Sequence, residues 1–370
     1  MVWPQGSPAT PYDNDPSNWM SQLDDSLLVR DLSIPGTHDS TALRGFTHVE
    51  ESVTQNLKVE EQLSLGIRFL DLRVKRKSTN DLAMWHGSDF IWDPYQPGTS
   101  DQLYFQTVIE KIVGWLEAHP REAVIIMVKD EEGDGVDVSK DIGQRAYGIL
   151  TDVNQRNNAP TNPNYHGMWH GHTVDCTLGQ VRGRLILWQR FTPTYPDDDA
   201  GHPGVDFNQM NTVLDNTTGD SLQTAAGSTI GYVQDYYSKA ALADKMRYWL
   251  DTARLGYIAA AAAGQQYGGQ QFLHHVSKAG KTPAYNANVL NPCVTEWLNA
   301  MRQTPTDRTL DPNQYRYRSG IGVVPLDFPD PDVVGSILAM NFTQTYAIYV
   351  FASGKQLYDD LIAKAGKSDD

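Results

Sequence analysis

Residues 119–131 read HPREAVIIMVKDE, and the fold follows from this stretch. Ala123–Lys129 is an apolar run ending on a charge, the pattern of a strand buried on both faces of a parallel sheet. Lys129, Asp130 and Glu131 stand together where that strand ends. Upstream, Gln106 to His119 sets Val108, Ile109, Ile112, Val113, Trp115 and Leu116 on one broad helical face, and Pro120 closes the helix. Helix and strand form one α/β unit that delivers ionisable groups to the strand's C-terminal end.

The same pattern repeats outward. Further strands are expected at Leu32–Pro35, Ile67–Val74, Leu82–His86, Arg184–Phe191, Thr229–Asp235, Phe272–Ser277 and Gly322–Phe328, with helices at Ala240–Leu255 and Val294–Arg302 among those between them. The alternation predicts an α/β fold, a distorted TIM-type (β/α)8 barrel in a single domain. The barrel spans residues 18–341, residues 1–17 form a lead, and 342–370 form an extension packed on the barrel, with a helix at Lys355–Ala365. A doubly wound sheet is the alternative, but no GxGxxG follows any strand.

In such barrels reacting groups stand at the C-terminal strand ends. Here those ends carry His38 and Asp39, Asp71 and Arg73, His86, Lys129 with Asp130 and Glu131, Arg190, Asp235 and Tyr237, and Asp327. Taken singly, each has a plainer reading. His38 follows a Gly-Thr turn, His86 suits a strand end, Arg73 adjoins Lys75, Arg76 and Lys77, and Asp327 precedes Phe328-Pro329. Their coincidence on one rim favours a site, since such groups are rarely buried unless paired or functional.

Two histidines with carboxylates suit general acid–base catalysis near neutral pH. An arginine between them suits a phosphoryl group, which its planar fork clamps. One histidine deprotonates a hydroxyl beside a phosphodiester, and the other protonates the leaving oxygen. Ser40 lacks the GxSxG context of a nucleophile, so the attacking oxygen belongs to the substrate. His166, His170 and His172 have HxH spacing without a strand-end carboxylate and are not read as a metal site. His274 and His275 adjoin on a strand, face opposite sides and receive no role.

The net charge of −15 excludes nucleic acid as the main partner and opposes adsorption to anionic membranes. Two cysteines in 370 residues make no disulfide scaffold. The apolar run Tyr257–Ala263 is too short to span a membrane, and the start has no signal-peptide pattern. A polar, Pro-rich start and many Trp and Tyr point to secretion.

LSIPGTHDS at Leu32–Ser40, QLSLGIRFLDLRV at Gln62–Val74 and MWHG at Met84–Gly87 closely resemble successive signatures of the phosphatidylinositol-specific phospholipase C X-domain family, in its bacterial branch. HPREAVIIMVKDE, LGQVRGRLILWQRF at Leu178–Phe191, VQDYY at Val233–Tyr237 and GVVPLDF at Gly322–Phe328 follow in order. The resemblance implies a lyase-type phosphodiesterase that cleaves phosphatidylinositol by attack of the inositol 2-hydroxyl. It implies His38 as general base oriented by Asp327, and His86 as general acid coupled to Asp39. Arg73 binds phosphate beside Asp71, Lys129, Arg190, Asp235 and Tyr237 hold the inositol, and Glu131 is a supporting carboxylate.

No metal or other cofactor is expected, because Arg73 stands where calcium-dependent relatives place their cation. The expected partner is an inositol lipid at a membrane surface, met by a monomer. Alternatives are a phosphodiesterase acting on glycosylated inositol lipids or soluble glycerophosphodiesters, and a non-catalytic inositol-phosphate-binding barrel. Three departures stand out. The segment after His38 lacks a tryptophan, leaving Phe46 as its apolar contact. Met246–Gln270 reads as an insertion, and the tail is long.

Overall fold

Sheet pairing begins at Ser33–Thr37 (β1), whose residues are all buried. Gly36 is required there, because an added Cβ would stand 2.7 Å from the Phe69 ring. The computed structural model describes residues 15–77, 81–96, 98–99, 101–133, 136–157, 167–169, 171, 174–192, 204–207, 218–223, 229–237, 241–261, 271–278, 280–302, 316–318, 320–342, 344–346 and 354–368. The chain divides into two compact units. The N-terminal unit holds Ser17–Leu27 and Gly36–Thr212; the C-terminal unit holds Met1–Pro16, Leu28–Pro35 and Val213–Asp370.

In the N-terminal unit the strands are β2 (Phe69–Arg76), β3 (Leu82–His86), β4 (Asp89–Phe90), β5 (Ala123–Asp130), β6 (Arg184–Arg190) and β7 (Val205–Asp206). With the end of β1 they run in the order β7-β6-β5-β2-β1, each neighbouring pair parallel. Helices α1 (Val59–Leu65), α2 (Phe105–Ala118), α3 (Val136–Asn157) and α4 (Leu178–Val181) intervene. The helix and strand of the opening stretch are α2 and β5, and the face read as apolar on α2 is buried.

One expected barrel strand has another role. Leu82–His86 pairs antiparallel with β2, through Val74↔Met84 to Arg76↔Leu82, and turns again into β4. The link from Arg76 to Leu82 is too short for a parallel crossover, which needs about a dozen residues or more. The short parallel strand β7 has no counterpart in the sequence reading.

The C-terminal unit contains β8 (Thr218–Gln223), β9 (Thr229–Gln234), β10 (Gln271–His274), β11 (Arg316–Arg318), β12 (Gly322–Leu326) and β13 (Gln344–Tyr346). β9, β10 and β12 form a parallel set, β8 adds antiparallel to β9, and β11 pairs antiparallel with β13. Helices α5 (Leu242–Ala261), α6 (Pro283–Met301), α7 (Pro331–Met340) and α8 (Gly354–Gly366) cover it. α6 starts well before Val294, with Thr282 as N-cap, and runs through Pro292. Met246–Ala261, read as part of an insertion, belongs to α5; residues 262–270 lie outside the described residues. The expected tail helix is α8, tied to α6 by Lys364–Glu296 at 2.7 Å and to α5 by Tyr358–Asp251 at 2.8 Å.

Candidate active site

The sharp turn after β1 builds the site. Asp39 has φ 44°, a left-handed conformation costly for a residue with a side chain. Surrounding hydrogen bonds hold it there. Thr54 Oγ1 donates to Asp39 O at 2.9 Å, Gln55 Nε2 donates to His38 O at 2.7 Å, and Asp39 N donates to Asp71 Oδ2 at 3.2 Å. Ser40 N donates to Asp71 O at 2.9 Å, and Asp71 N donates to Ser40 Oγ at 2.8 Å. Gln62 closes the turn, accepting from Thr37 Oγ1 and donating to Ser40 O, each at 2.8 Å.

Register brings the cations together. Arg73 pairs with Lys129 across β2 and β5, and Lys129 with Arg190 across β5 and β6. Register partners in a parallel sheet point to one face, so the three form a row, with Asp71 two residues earlier on the same face. Arg73 donates from Nε to Asp71 Oδ2 at 3.0 Å and from Nη1 to Glu131 Oε1 at 3.1 Å. Its Nε also lies 3.4 Å from Asp39 Oδ2. Lys129 Nζ reaches Glu131 Oε2 at 2.9 Å, and Gly87 N donates to Glu131 Oε1 at 3.3 Å.

His86 Nδ1 lies 2.9 Å from Ser52 O and 3.3 Å from Asp39 Oδ2. Both oxygens accept, so this geometry puts a proton on Nδ1. The His38 and His86 rings have centroids 6.0 Å apart and planes at 88°. The electrostatics oppose one another. Burial pushes the Asp39 carboxyl above its ordinary value, while His86, Arg73 and His38 pull it down. Burial works against the Arg73 charge, yet Asp71, Asp39 and Glu131 hold it firmly protonated. Burial also works against the Glu131 charge, but Arg73 and Lys129 prevail and lower it to about 2.

The N-terminal unit thus gathers His38, Asp39, Asp71, Arg73, His86, Lys129 and Glu131, with Arg190 next in the row. Such a set can fix an anion on its cations and pass protons through two imidazoles. Asp235, Tyr237 and Asp327 belong to the C-terminal unit, following β9 and β12. Asp235 and Asp327 are buried, and Tyr237 is half-buried. Asn291 Nδ2 donates to Asp327 O at 3.1 Å, and Phe328 next in chain has φ 44°. His274 and His275 are both buried, His274 against Ile321 O. His166, His170 and His172 lie outside the described residues. Phe46 is half-buried, and Cys176 and Cys293 are free thiols.

Ser52, Thr54, Gln55 and Gln62 have no counterpart in the sequence reading. Lys245 has none either, although its spacing carried a signal: it shares a helical face with Leu242, Trp249 and other buried residues of α5.

Residues 29–148 match the family model PI-PLC X 1 of the PI-PLC X domain. A 1-phosphatidylinositol phosphodiesterase of Staphylococcus aureus (strain Newman) is 26% identical over 185 residues, 49% of this chain and 53% of the relative. The chain thus spans about half the length of that relative. A 1-phosphatidylinositol phosphodiesterase of Listeria monocytogenes is 25% identical over 336 residues, 87% of this chain and 84% of the relative. Among solved structures, an S. aureus phosphatidylinositol-specific phospholipase C superimposes with a TM-score of 0.63 at 20% identity, covering 88% of this chain and 98% of that one. That likeness shows the fold: a distorted TIM-type α/β barrel.

Proposed function

We propose, from the premise that residues 29–148 carry a PI-PLC X domain, that the chain is a phosphodiesterase cleaving phosphatidylinositol to diacylglycerol and a cyclic inositol phosphate. The observation that carries this reading is the pair of histidines 6.0 Å apart beside the Arg73–Lys129–Arg190 row. His38 takes the proton of the inositol 2-hydroxyl, whose oxygen attacks phosphorus. The bond from phosphorus to the diacylglycerol oxygen breaks, and His86 in its charged form protonates that oxygen. Asp39, 3.3 Å from His86 Nδ1, orients that ring for the transfer. Arg73 stabilises the phosphoryl oxygens as charge grows on them.

The family resemblance assigns the inositol to Lys129, Arg190, Asp235 and Tyr237 and the orientation of the base to Asp327; Glu131 supports Lys129 and Arg73. Holding the hydroxyl in line with phosphorus can be worth roughly 7–11 kcal/mol in the best intramolecular cases. No step in this scheme uses a metal ion, because the Arg73 guanidinium already supplies the cation among Asp39, Asp71 and Glu131. The substrate is met at a membrane surface, and the net charge of −15 favours neutral over anionic lipid.

Phosphorus NMR of the reaction tests the scheme. The cyclic ester is expected before any open monophosphate, and an analogue without the 2-hydroxyl is expected to resist cleavage. Cleavage of that analogue at the parent's rate would make water the nucleophile and end this reading.

A further inference from the structure

We infer that Lys245 is a positioning residue of the proposed reaction, its buried ammonium holding the end of β9 through Gln234 and placing a positive charge that acts on Asp235 and Asp327. The inference rests on the reading just given. Lys245 stands in the first turn of α5 and is fully buried. A cation there meets the positive end of the helix dipole and loses its hydration. Its Nζ donates to Gln234 Oε1 at 2.9 Å, a neutral amide that stabilises it less than a carboxylate in direct contact. Three costs on one residue call for a return elsewhere, and the strand ends around it supply the reason.

Gln234 is the last residue of β9, immediately before Asp235. Its Oε1 also accepts from Tyr236 N at 2.8 Å, and its Nε2 donates to His275 O at 2.9 Å. His275 N returns a bond to Gln234 O at 2.9 Å, and Val276 N donates to Pro325 O at 3.0 Å. The ends of β9 and β10 are therefore tied through one amide, β12 joins β10 through Val276, and Lys245 is the charged group bonded to that amide. The charged groups acting on it are Asp235 beyond β9, Asp327 beyond β12 and Lys278 beyond β10. Burial lowers the Lys245 ammonium to about 8, while Asp235 and Asp327 favour its proton and Lys278 opposes it. The two carboxylates proposed to hold inositol and to orient the base thus both act on one buried lysine charge. Its loss leaves both buried and facing no lysine charge from α5.

The test measures kcat/KM against pH for the wild type, Lys245→Met and Lys245→Arg on a water-soluble aryl inositol phosphate, with thermal unfolding as the check on folding. Wild-type kcat/KM is expected to fall on the alkaline side with a component near 8. In Lys245→Met, kcat/KM at neutral pH is expected to drop ~10–100-fold, the scale seen for residues that support a reacting group indirectly, and the alkaline component to vanish. Lys245→Arg, a cation that does not titrate in this range, is expected to recover part of the activity and to lack the component near 8. A folded Lys245→Met with the wild-type profile overturns the inference and leaves the proposed reaction standing. If Lys245→Met does not fold, Lys245→Gln replaces it, and a folded Lys245→Gln with the wild-type kcat/KM at neutral pH overturns the inference in the same way. If the wild type turns over no inositol phosphodiester, the proposed reaction fails, and the inference fails with it.

Discussion

Strand β2 is flanked by two buried arginines: Arg68 just before its N-terminal end and Arg73 near its C-terminal end. Arg68 donates from Nε and Nη2 to Glu122 Oε2 at 3.0 and 2.8 Å, and from Nη1 to Leu63 O and Ile67 O at 2.7 Å each. Its Cζ sits 4.5 Å from the centroid of the Trp115 ring. Both Arg68 and Glu122 have wholly buried side chains. Arg73, by contrast, is divided among Asp39, Asp71 and Glu131, and its neighbours include two half-buried histidines. The same side chain, before the strand and within it, serves stability where fixed neighbours answer its donors and, in the proposed reaction, chemistry where its charge turns to a ligand.

The sharpest way to break that contrast is to remove chemistry without touching the base of the strand. His86→Ala is expected to lower kcat by ~10²–10⁴-fold, the usual contribution of a general acid, with little change in thermal midpoint. More than about a tenth of wild-type kcat in this variant would contradict a two-histidine mechanism. The converse is Glu122→Gln, which leaves Arg68 with an uncompensated buried charge. Removing one partner of such a pair costs about 3–5 kcal/mol, to be read in urea unfolding, while kcat per folded molecule holds.

Arg73→Lys keeps the charge and discards the fork. It is expected to cost about 10²-fold in kcat/KM, the lower end of the range for losing one stabilising donor, with the fold intact.

The smallest effect is on acid stability. Glu131 is held at about 2 against an ordinary value of 4.5. Because its folded value is depressed, its contribution is complete above 4.5 and disappears as pH falls from there through about 2. Glu131→Gln is therefore expected to flatten the fall in urea midpoint over that interval, and an unchanged slope would mean that the carboxylate is not held by Arg73 and Lys129.

Much of this was legible because ionisable residues end apolar runs. AVIIMVKDE marks both the strand and what it delivers, and GIRFLDLRV does so for Asp71 and Arg73. The antiparallel course of β3 was legible in principle from the short link after Arg76, but an apolar run alone does not carry direction. β7 is a two-residue strand, too brief for any period to show. Ser52 acts through its carbonyl, which no side chain announces. Thr54 and Gln55 look like any polar loop, since what distinguishes them is the left-handed turn they brace.

The anchoring of Glu122 also bears on where this domain can be cut. Its carboxylate accepts from Met20 N at 3.2 Å and Ser21 N at 2.9 Å, and Arg182 donates to Met20 O at 2.7 Å and Leu23 O at 2.8 Å. Trp19, fully buried, donates its indole hydrogen to Gly66 O at 3.0 Å. The family match begins at residue 29, but the physical domain begins by Ser17. A truncation placed at the matched boundary would take from Glu122 two of its amide donors, from Arg182 two of its carbonyl acceptors, and from the core a tryptophan. Homology marks where sequence signatures start; the anchoring bonds begin earlier, in the segment Ser17–Leu27, whose value is invisible to motif matching.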